Sequence, residues 1–421
     1  MSAAGASGAQ RLPTPAGPTP TGPTHWPAVL AAVAGGVAVG MNVGKVPMAL
    51  AALRQEFGLS LVQAGTVSST LSTLAVVFAV GVGMLTGRVG ALRMALGGLV
   101  VSVLASLAGL LAQGYGALIA TRVLEGAGFL AMAVAGPGLV SAAAAPQDRR
   151  FAIGVWATFM PAGAGLGMLL APPLLDTAGW RGLWALVAAV LAGAAWATWG
   201  QRRHFGAAAG GGSAAAPGAT VALLRQPLAW LLTLAFGCWA IQHFSLIVWL
   251  PTFLKEQRGM AAGPVAALTA LMLLVNVPGN LIGGALVQRG LPRGWLVALA
   301  HAATGVCALG LADDRLGDGL RYGLCLALSF TGGLIPAAVM SSSTVLARHP
   351  AQIGVLQGLI MQGSQAGQFI GTPLIAALVA ASGQWGSVRW VTCSVAVLGV
   401  ALGVAAWRAE HRLVRPPGTG A

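Results

Sequence analysis

The sequence predicts an all-α polytopic membrane protein whose twelve transmembrane helices form two pseudo-symmetric six-helix bundles. Hydrophobic residues make up 57% of the chain and charged residues 8%, whereas charged residues are about 25% of an ordinary soluble domain. Apolar segments of about 20 residues, the length that crosses a bilayer as a helix, recur from Ala28 to Trp407. An internal repeat relates the two halves of the chain. Composition therefore excludes a soluble fold, and the segments and the repeat predict the architecture.

The apolar segments are separated by short polar turns that contain glycine or proline, which gives the predicted helix boundaries. The twelve helices are expected at residues 28–50, 62–86, 92–113, 115–141, 151–175, 181–200, 228–253, 262–287, 293–312, 320–345, 352–381 and 387–407.

The internal repeat has a shift of 200 residues. It is clearest between the predicted fifth and eleventh helices, where Gly154, Gly163, Gly167 and Pro173 correspond to Gly354, Gly363, Gly367 and Pro373. The ends of the second and eighth helices also correspond, with Gly83, Arg88, Gly90 and Arg93 matching Gly284, Arg289, Gly290 and Arg293. Both copies have the same orientation. A parallel repeat of six-helix halves is typical of transporters that rock about a central site.

Composition also divides the chain into segments. The first residues are rich in proline, glycine, threonine and serine and lack the pattern of a signal peptide. A run of alanine, glycine and serine at 207–216 has the composition of a flexible linker. We expect a disordered cytoplasmic tail at 1–26, an N-terminal bundle at 27–200, a cytoplasmic linker at 201–227, a C-terminal bundle at 228–407 and a cytoplasmic tail at 408–421.

The net charge of +14 is explained by membrane topology. Placing the N-terminus inside assigns 14 of the 23 basic residues to the cytoplasm, and acidic residues nearly balance the basic ones on the other face. The positive-inside rule therefore predicts a bacterial inner-membrane protein with both termini in the cytoplasm. No basic patch is continuous, so we expect no nucleic-acid partner. The four cysteines lack a close pair, which predicts neither a disulfide nor a metal site.

Three motifs resemble those of the major facilitator superfamily, and the resemblance extends from Trp26 to Trp407. The segment 83–93 is similar to the family's loop between helices two and three, although Gly87 occupies the position of its aspartate. Arg122-Val-Leu-Glu-Gly126 is similar to the RxxxG motif of helix four. The segment 160–167 with Pro172 looks like a degenerate glycine and proline motif, in which small residues let helices pack closely.

The resemblance implies a secondary transporter, and among subgroups it is weakly closest to cyanate-permease-like proteins, through residues 250–254, 280–284 and 367–371. It also implies a gating loop. The residues of that loop would be Gly83, Arg88, Gly90 and Arg93. A purely topological role for both arginines remains open.

Charged residues inside predicted helices are candidates for function because each costs at least about 2.5 kcal/mol to insert. Arg122 and Glu125 are three residues apart and can form an ion pair on one helix face. The family resemblance associates the arginine with proton coupling. We therefore assign proton coupling to Glu125, Arg122 and His243, with a structural salt bridge and a neutral hydrogen-bonding histidine as the alternatives.

Substrate binding is assigned to polar residues on faces expected to meet a central cavity. Lys45 adds a positive charge that favours an anionic solute, although a lysine near a helix end can also extend to the interface. Polar residues on the later helices either contact solute or tie helices together by hydrogen bonds. The candidates are Asn42, Lys45, Arg122, Gln242, His243, Gln362, Gln365 and Asn276.

These observations favour a secondary active transporter that moves a small anionic solute by alternating access with proton coupling. Proton-antiport export of a siderophore, drug or metabolite is the alternative. No HExxH motif and no GxxxxGK[ST] phosphate loop occurs, so we expect neither an enzyme nor an ATP-driven pump. The expected partners are a small-molecule substrate, protons and membrane lipid, with no cofactor and with the monomer as the functional unit.

Overall fold

A computed structural model describes residues 22–209, 217–313 and 315–414, which are helical with no strand. Most of the predicted N-terminal tail, the centre of the predicted linker and the last residues of the C-terminal tail lie outside these ranges. The prediction of an all-α membrane protein is confirmed.

The described part of the chain contains sixteen α-helices. They are α1 (Trp26–Phe57), α2 (Leu61–Val89), α3 (Ala91–Leu110), α4 (Tyr115–Ala143), α5 (Arg149–Ala157), α6 (Phe159–Gly200), α7 (Pro217–Leu224), α8 (Pro227–Arg258), α9 (Ala262–Leu274), α10 (Asn276–Gln288), α11 (Arg293–Leu311), α12 (Asp318–Gly332), α13 (Leu334–Met340), α14 (Ser343–Leu346), α15 (Pro350–Ser382) and α16 (Val388–Val414).

Eleven helical segments of the described chain are long and apolar enough to cross a membrane. One of them, Arg149–Gly200, has 52 residues, and at about 1.5 Å per residue it is more than twice as long as a bilayer core is thick. Gly179 interrupts this segment with a non-helical backbone at φ 65° and ψ −173°. The segment therefore turns back at Gly179 and crosses twice, which gives twelve transmembrane passes.

The repeat is visible in the backbone as well as in the sequence. Six of the seven described glycines with positive φ, a conformation that other residues rarely adopt, occur in pairs at matching points of the two halves. The pairs are Gly58 and Gly259 (both 61°), Gly90 and Gly290 (both 96°), and Gly179 and Gly383 (65° and 67°). The two halves thus reverse direction with the same turn geometry.

The two bundles meet mainly along two seams, one formed by α2 with α15 and the other by α5 and α6 with α10 and α9. A Cβ atom on Gly83 would lie 2.3 Å from the carbonyl oxygen of Gly354, and one on Gly154 would lie 2.5 Å from the Cα of Gly284. Only glycine permits this approach of backbones. Both contacts lie toward the end of the molecule where α1 begins, so they close that end.

Three helices are longer than the sequence predicted, and one of them is α8, which continues to Arg258 instead of residue 253. Helix α1 continues to Phe57 instead of residue 50, because Leu53 is fully buried in a cluster with Trp180 and Leu183. Lys45 therefore lies in the middle of a helix, and the extension to the interface considered from the sequence does not occur. Helix α16 continues to Val414 instead of residue 407.

Close packing of the predicted glycine and proline motif is confirmed. A Cβ atom on Gly163 of α6 would lie 2.3 Å from the carbonyl oxygen of Val37, and one on Gly44 would lie 2.1 Å from that of Ala164. The small residues let α1 and α6 touch through their backbones, and this contact fixes the part of α1 that carries the charged cluster described below.

Candidate functional site

A central cavity of about 580 Å³ lies between the two bundles. It extends from the middle of the molecule toward the end where α1 ends, opposite the glycine seams. Its innermost wall includes Phe129, Phe159 and Pro336, and its outer wall includes Leu50 and Phe369. Its volume falls within the range of small-molecule sites, which is about 300 to 1,000 Å³.

Three predicted binding residues line the cavity, namely His243, Asn276 and Gln365. The His243 ring stacks on Trp239 with centroids 4.6 Å apart, and its Nε2 lies 3.0 Å from Ser329 Oγ. Asn276 donates its amide hydrogen to the Ser329 carbonyl at 2.6 Å. These bonds hold the histidine and the asparagine in fixed positions against the bundle core.

Polar residues from both bundles also meet toward the outer part of the cavity. The Ser72 hydroxyl of α2 lies 3.4 Å from Gln368 Oε1 of α15, and both residues line the cavity. Gln362, one of the predicted binding residues, instead donates to the Val76 carbonyl at 2.6 Å and is not part of the cavity wall. Gln362 thus ties α15 to α2.

The charged residues form a separate buried cluster inside the N-terminal bundle. Glu125 on α4 accepts a hydrogen bond from Lys45 Nζ at 2.6 Å, and its other oxygen pairs with Arg122. Ser106 on α3 lies 2.7 Å from the Glu125 oxygen that binds Lys45. Lys45, Arg122 and Glu125 are all 0% exposed. Polar side chains from α1, α3 and α4 therefore all contact the Glu125 carboxylate.

The cluster carries two cations and one carboxylate, an excess of one positive charge when all three are ionised. The Lys45 ammonium lies 4.3 Å from the centroid of the Trp184 ring, a cation–π contact. Asn42 lies beside Ser106, with Oδ1 at 3.4 Å from the hydroxyl, and its Nδ2 has no hydrogen-bond partner among the described residues. Buried charges are costly unless paired, so the excess charge and the unpaired amide require an explanation.

The cluster lies directly behind the cavity wall. Val46 and Pro47 of α1 line the cavity, while the adjacent Lys45 side chain reaches into the bundle. The Arg122 Nε contacts the Val67 carbonyl at 3.4 Å, and the next residue of α2, Ser68, lines the cavity. Helices α1 and α2 therefore each contact the charged cluster and also line the cavity.

The other predicted residues occupy different places. Gln242 is buried within the C-terminal bundle, where its amide donates to the Thr392 carbonyl at 2.7 Å, so it does not line the central cavity. Gly83 forms a seam between the bundles, and Gly90 provides the turn between α2 and α3. Arg88 and Arg93 are both exposed.

Several residues of the site were not identified from the sequence. Ser106 has no charged neighbour in sequence, and its only signal is Ser102, four residues earlier on α3. Ser68 and Ser72 are four residues apart on α2, and Gln365 and Gln368 are three apart on α15. Such spacing places each pair on one helix face, and this pattern could have indicated the cavity-lining faces.

The comparisons with known proteins agree with this architecture. Residues 32–372 match the family model for the Major Facilitator Superfamily. The probable sulfoacetate transporter SauU of Cupriavidus necator is 28% identical over 216 residues, which are 46% of this chain and 47% of that protein. The alignment thus spans about half the length of the curated relative.

Solved structures show the same fold. FucP, an E. coli fucose:proton symporter, was crystallised in an outward conformation that matches with a TM-score of 0.71 and 16% identity, covering 91% of this chain and 98% of that one. The human organic anion transporter MFSD10 matches with a TM-score of 0.70 and 14% identity, covering 91% of this chain and 100% of that one.

Identities this low support the fold alone. The family model, in contrast, covers most of the sequence, and the two bundles, the glycine seams and the central cavity agree with it. This chain belongs to the Major Facilitator Superfamily and is a multi-pass membrane transporter.

Proposed function

We propose that the protein is a proton-coupled secondary transporter that carries a small organic anion across the bacterial inner membrane by alternating access. The observation that carries the proposal is the buried cluster of Lys45, Arg122 and Glu125 directly behind the cavity wall. Its excess positive charge acts on the cavity through a medium of low dielectric constant, where charges interact more strongly than in water.

The cluster also offers a mechanism for coupling. Proton binding to Glu125 changes the net charge of the cluster from +1 to +2. The more positive cluster favours an anion in the cavity, and by linkage the anion favours proton binding to the same degree. Proton and anion then bind cooperatively from one side and leave together on the other. His243, which lines the cavity, is the second candidate for proton binding.

The cavity supplies orientation but no charge of its own. The described lining residues include histidine, asparagine, glutamine, serine and threonine, with no lysine, arginine, aspartate or glutamate. A sulfonate or carboxylate accepts hydrogen bonds from such groups. The similarity to a sulfoacetate transporter favours a small sulfonate or carboxylate as the solute.

The test is uptake into vesicles that contain the purified protein, with sulfoacetate as the first probe and an imposed pH gradient. We expect saturable accumulation that collapses when an uncoupler is added. Accumulation that persists without the gradient would exclude proton coupling. If sulfoacetate and a panel of other small sulfonates and carboxylates all fail to enter, an anionic substrate is excluded.

Orientation is tested separately. Reporter fusions at Ala421 and Gly211 are expected to be fluorescent and to lack phosphatase activity, because the positive-inside rule places the C-terminus and the central loop in the cytoplasm. The central cavity would then open to the periplasm. Phosphatase activity at either fusion would contradict this topology.

Export is the second candidate function, and the apolar character of the cavity favours it. Aromatic and methionine side chains form much of the wall, including Trp239, Trp249, Met160 and Met361. Such surfaces bind amphipathic organic molecules of varied shape. A cavity that prefers amphipathic solutes over sulfoacetate in the vesicle assay would support proton-antiport export.

A further inference from the structure

A second cavity of about 510 Å³ lies inside the C-terminal bundle, separate from the central cavity. It is enclosed by α8, α9, α11, α12, α15 and α16 near the end where α8 ends. Trp249 is the one described residue that lines both cavities. Its indole N–H donates to the Thr372 carbonyl at 3.2 Å, which fixes the ring as the wall between them.

The internal repeat explains why protein side chains leave a cavity at this position. Lys45 and Glu125 of the N-terminal bundle correspond to Ser245 and Cys325 at the shift of 200 residues. Near the last helix of each half the shift is 204 residues, because the matching positive-φ turns lie at Gly179 and Gly383. At this shift Trp184 corresponds to Val388. Ser245, Cys325 and Val388 all line the second cavity. The N-terminal bundle fills this position with large side chains, whereas the C-terminal bundle leaves it open.

The chemistry of the walls is amphipathic. The deep part is lined by apolar side chains such as Leu250, Leu268 and Leu328. The mouth carries Arg258, Arg321 and Arg389 against one described carboxylate, Asp318. Cations therefore outnumber anions at the mouth.

Two of the three arginines at the mouth lie against the ring of Phe253. The guanidinium carbons of Arg258 and Arg321 lie 5.2 and 5.6 Å from the centroid of the Phe253 ring. Arg258 pairs with Asp318 at 2.8 Å, and Arg321 donates to the Leu311 carbonyl at 2.9 Å. The third arginine, Arg389, lies on the opposite helix α16 with its guanidinium carbon 5.5 Å from the ring centroid of Trp390.

We propose that this second cavity is a binding site for an amphipathic anion, with an apolar body held among the leucines and an acidic head group at the arginines. Protein interiors are packed to the density of organic crystals, and a space of this size matches known ligand sites. A carboxylate, sulfonate or phosphate head would form charge-assisted hydrogen bonds with the arginines. The source of the ligand is either an anionic lipid of the bilayer or a free amphiphile.

The test uses the full-length protein in nanodiscs of phosphatidylcholine, with dodecanoic acid that bears a photoreactive diazirine at the chain end. After irradiation, mass spectrometry of peptides locates the label. We expect labelling of residues that line the second cavity, and weaker labelling by the matched dodecanol probe, which lacks the charge. Equal labelling by the alcohol, or labelling confined to lipid-facing surfaces, would overturn the proposal.

Variants give independent checks that do not depend on transport. Ser245→Leu and Val388→Trp fill the cavity as the N-terminal bundle does, and both are expected to lose the label. Arg389→Gln is expected to lower labelling about tenfold, as the loss of one charge-assisted contact would. Arg315→Gln removes an exposed arginine outside the cavity wall and serves as the control. Undiminished labelling in both filling variants, or an equal loss in Arg315→Gln and Arg389→Gln, would contradict the proposal.

Mass spectrometry of lipids that remain with the purified protein distinguishes the two sources. An anionic phospholipid that is retained by the unmodified protein and absent from Val388→Trp would identify the bilayer as the source. Labelling by the fatty acid without any such lipid would identify a free amphiphile.

Discussion

Vesicles that contain Glu125→Gln are expected to show no accumulation of solute under a pH gradient, while exchange of labelled solute continues. Glutamine keeps the size of the side chain and can still accept from Lys45, but it cannot gain or lose a proton. The variant fixes the cluster at a net charge of +2, which favours the anion yet cannot release it in step with a proton. The measurement compares counterflow and gradient-driven uptake in the same vesicles.

A second variant separates coupling from stability. Glu125→Gln leaves Lys45 and Arg122 buried without a carboxylate, and breaking a buried ion pair in this way costs about 3 to 5 kcal/mol. Adding Lys45→Met removes one unpaired cation. We therefore expect Glu125→Gln/Lys45→Met to recover thermal stability in detergent but not accumulation. If the double variant regains gradient-driven accumulation, Glu125 is not the coupling group.

Arg122→Ala is expected to lower transport by at least about tenfold, equivalent to 1.4 kcal/mol, with the protein still present in the membrane. The ion pair of Lys45 with Glu125 survives in this variant, but the cluster loses the excess positive charge that favours an anion in the cavity. Arg122 also joins the cluster to α2 through the Val67 carbonyl, next to the cavity-lining Ser68. Its removal disconnects the cluster from α2, one of the two helices that link it to the cavity wall.

Arg122→Lys is the matched comparison. Lysine keeps the charge but lacks the second arm of the guanidinium, so it can hold Glu125 or the Val67 carbonyl but not both. We expect partial transport from this variant. Normal transport by a well-expressed Arg122→Ala protein would show that the cluster has only a structural role.

The fold could be predicted because its determinants are local. Segments of apolar residues predict where the helices lie. The symmetry between the two halves is predicted by the repeat, in which Gly83 and Gly154 recur as Gly284 and Gly354. The end of α1 was predicted too early, since the burial of Leu53 against Trp180 depends on contacts that are distant in sequence.

The candidate site could be predicted only in part. Arg122 and Glu125 were paired from their spacing on one helix, and the structure contains that pair. Lys45 joins it from α1 at a separation of 80 residues, which helix spacing cannot reveal. Gln242 and His243 are adjacent in sequence, so they lie on different faces of α8. His243 therefore meets the central cavity, while Gln242 faces α11 and α16.

The two glycine contacts between the bundles are related by a pseudo-two-fold axis. The repeat matches Gly83 with Gly284 and Gly154 with Gly354, whereas the contacts join Gly83 to Gly354 and Gly154 to Gly284. Gly83 therefore contacts the repeat equivalent of Gly154, and Gly154 contacts the repeat equivalent of Gly83. A two-fold axis imposes this arrangement on an isologous homodimer. A single six-helix unit with both glycines would form the two contacts with one self-complementary surface. The two seams of this chain therefore have the geometry of an isologous dimer interface within one polypeptide.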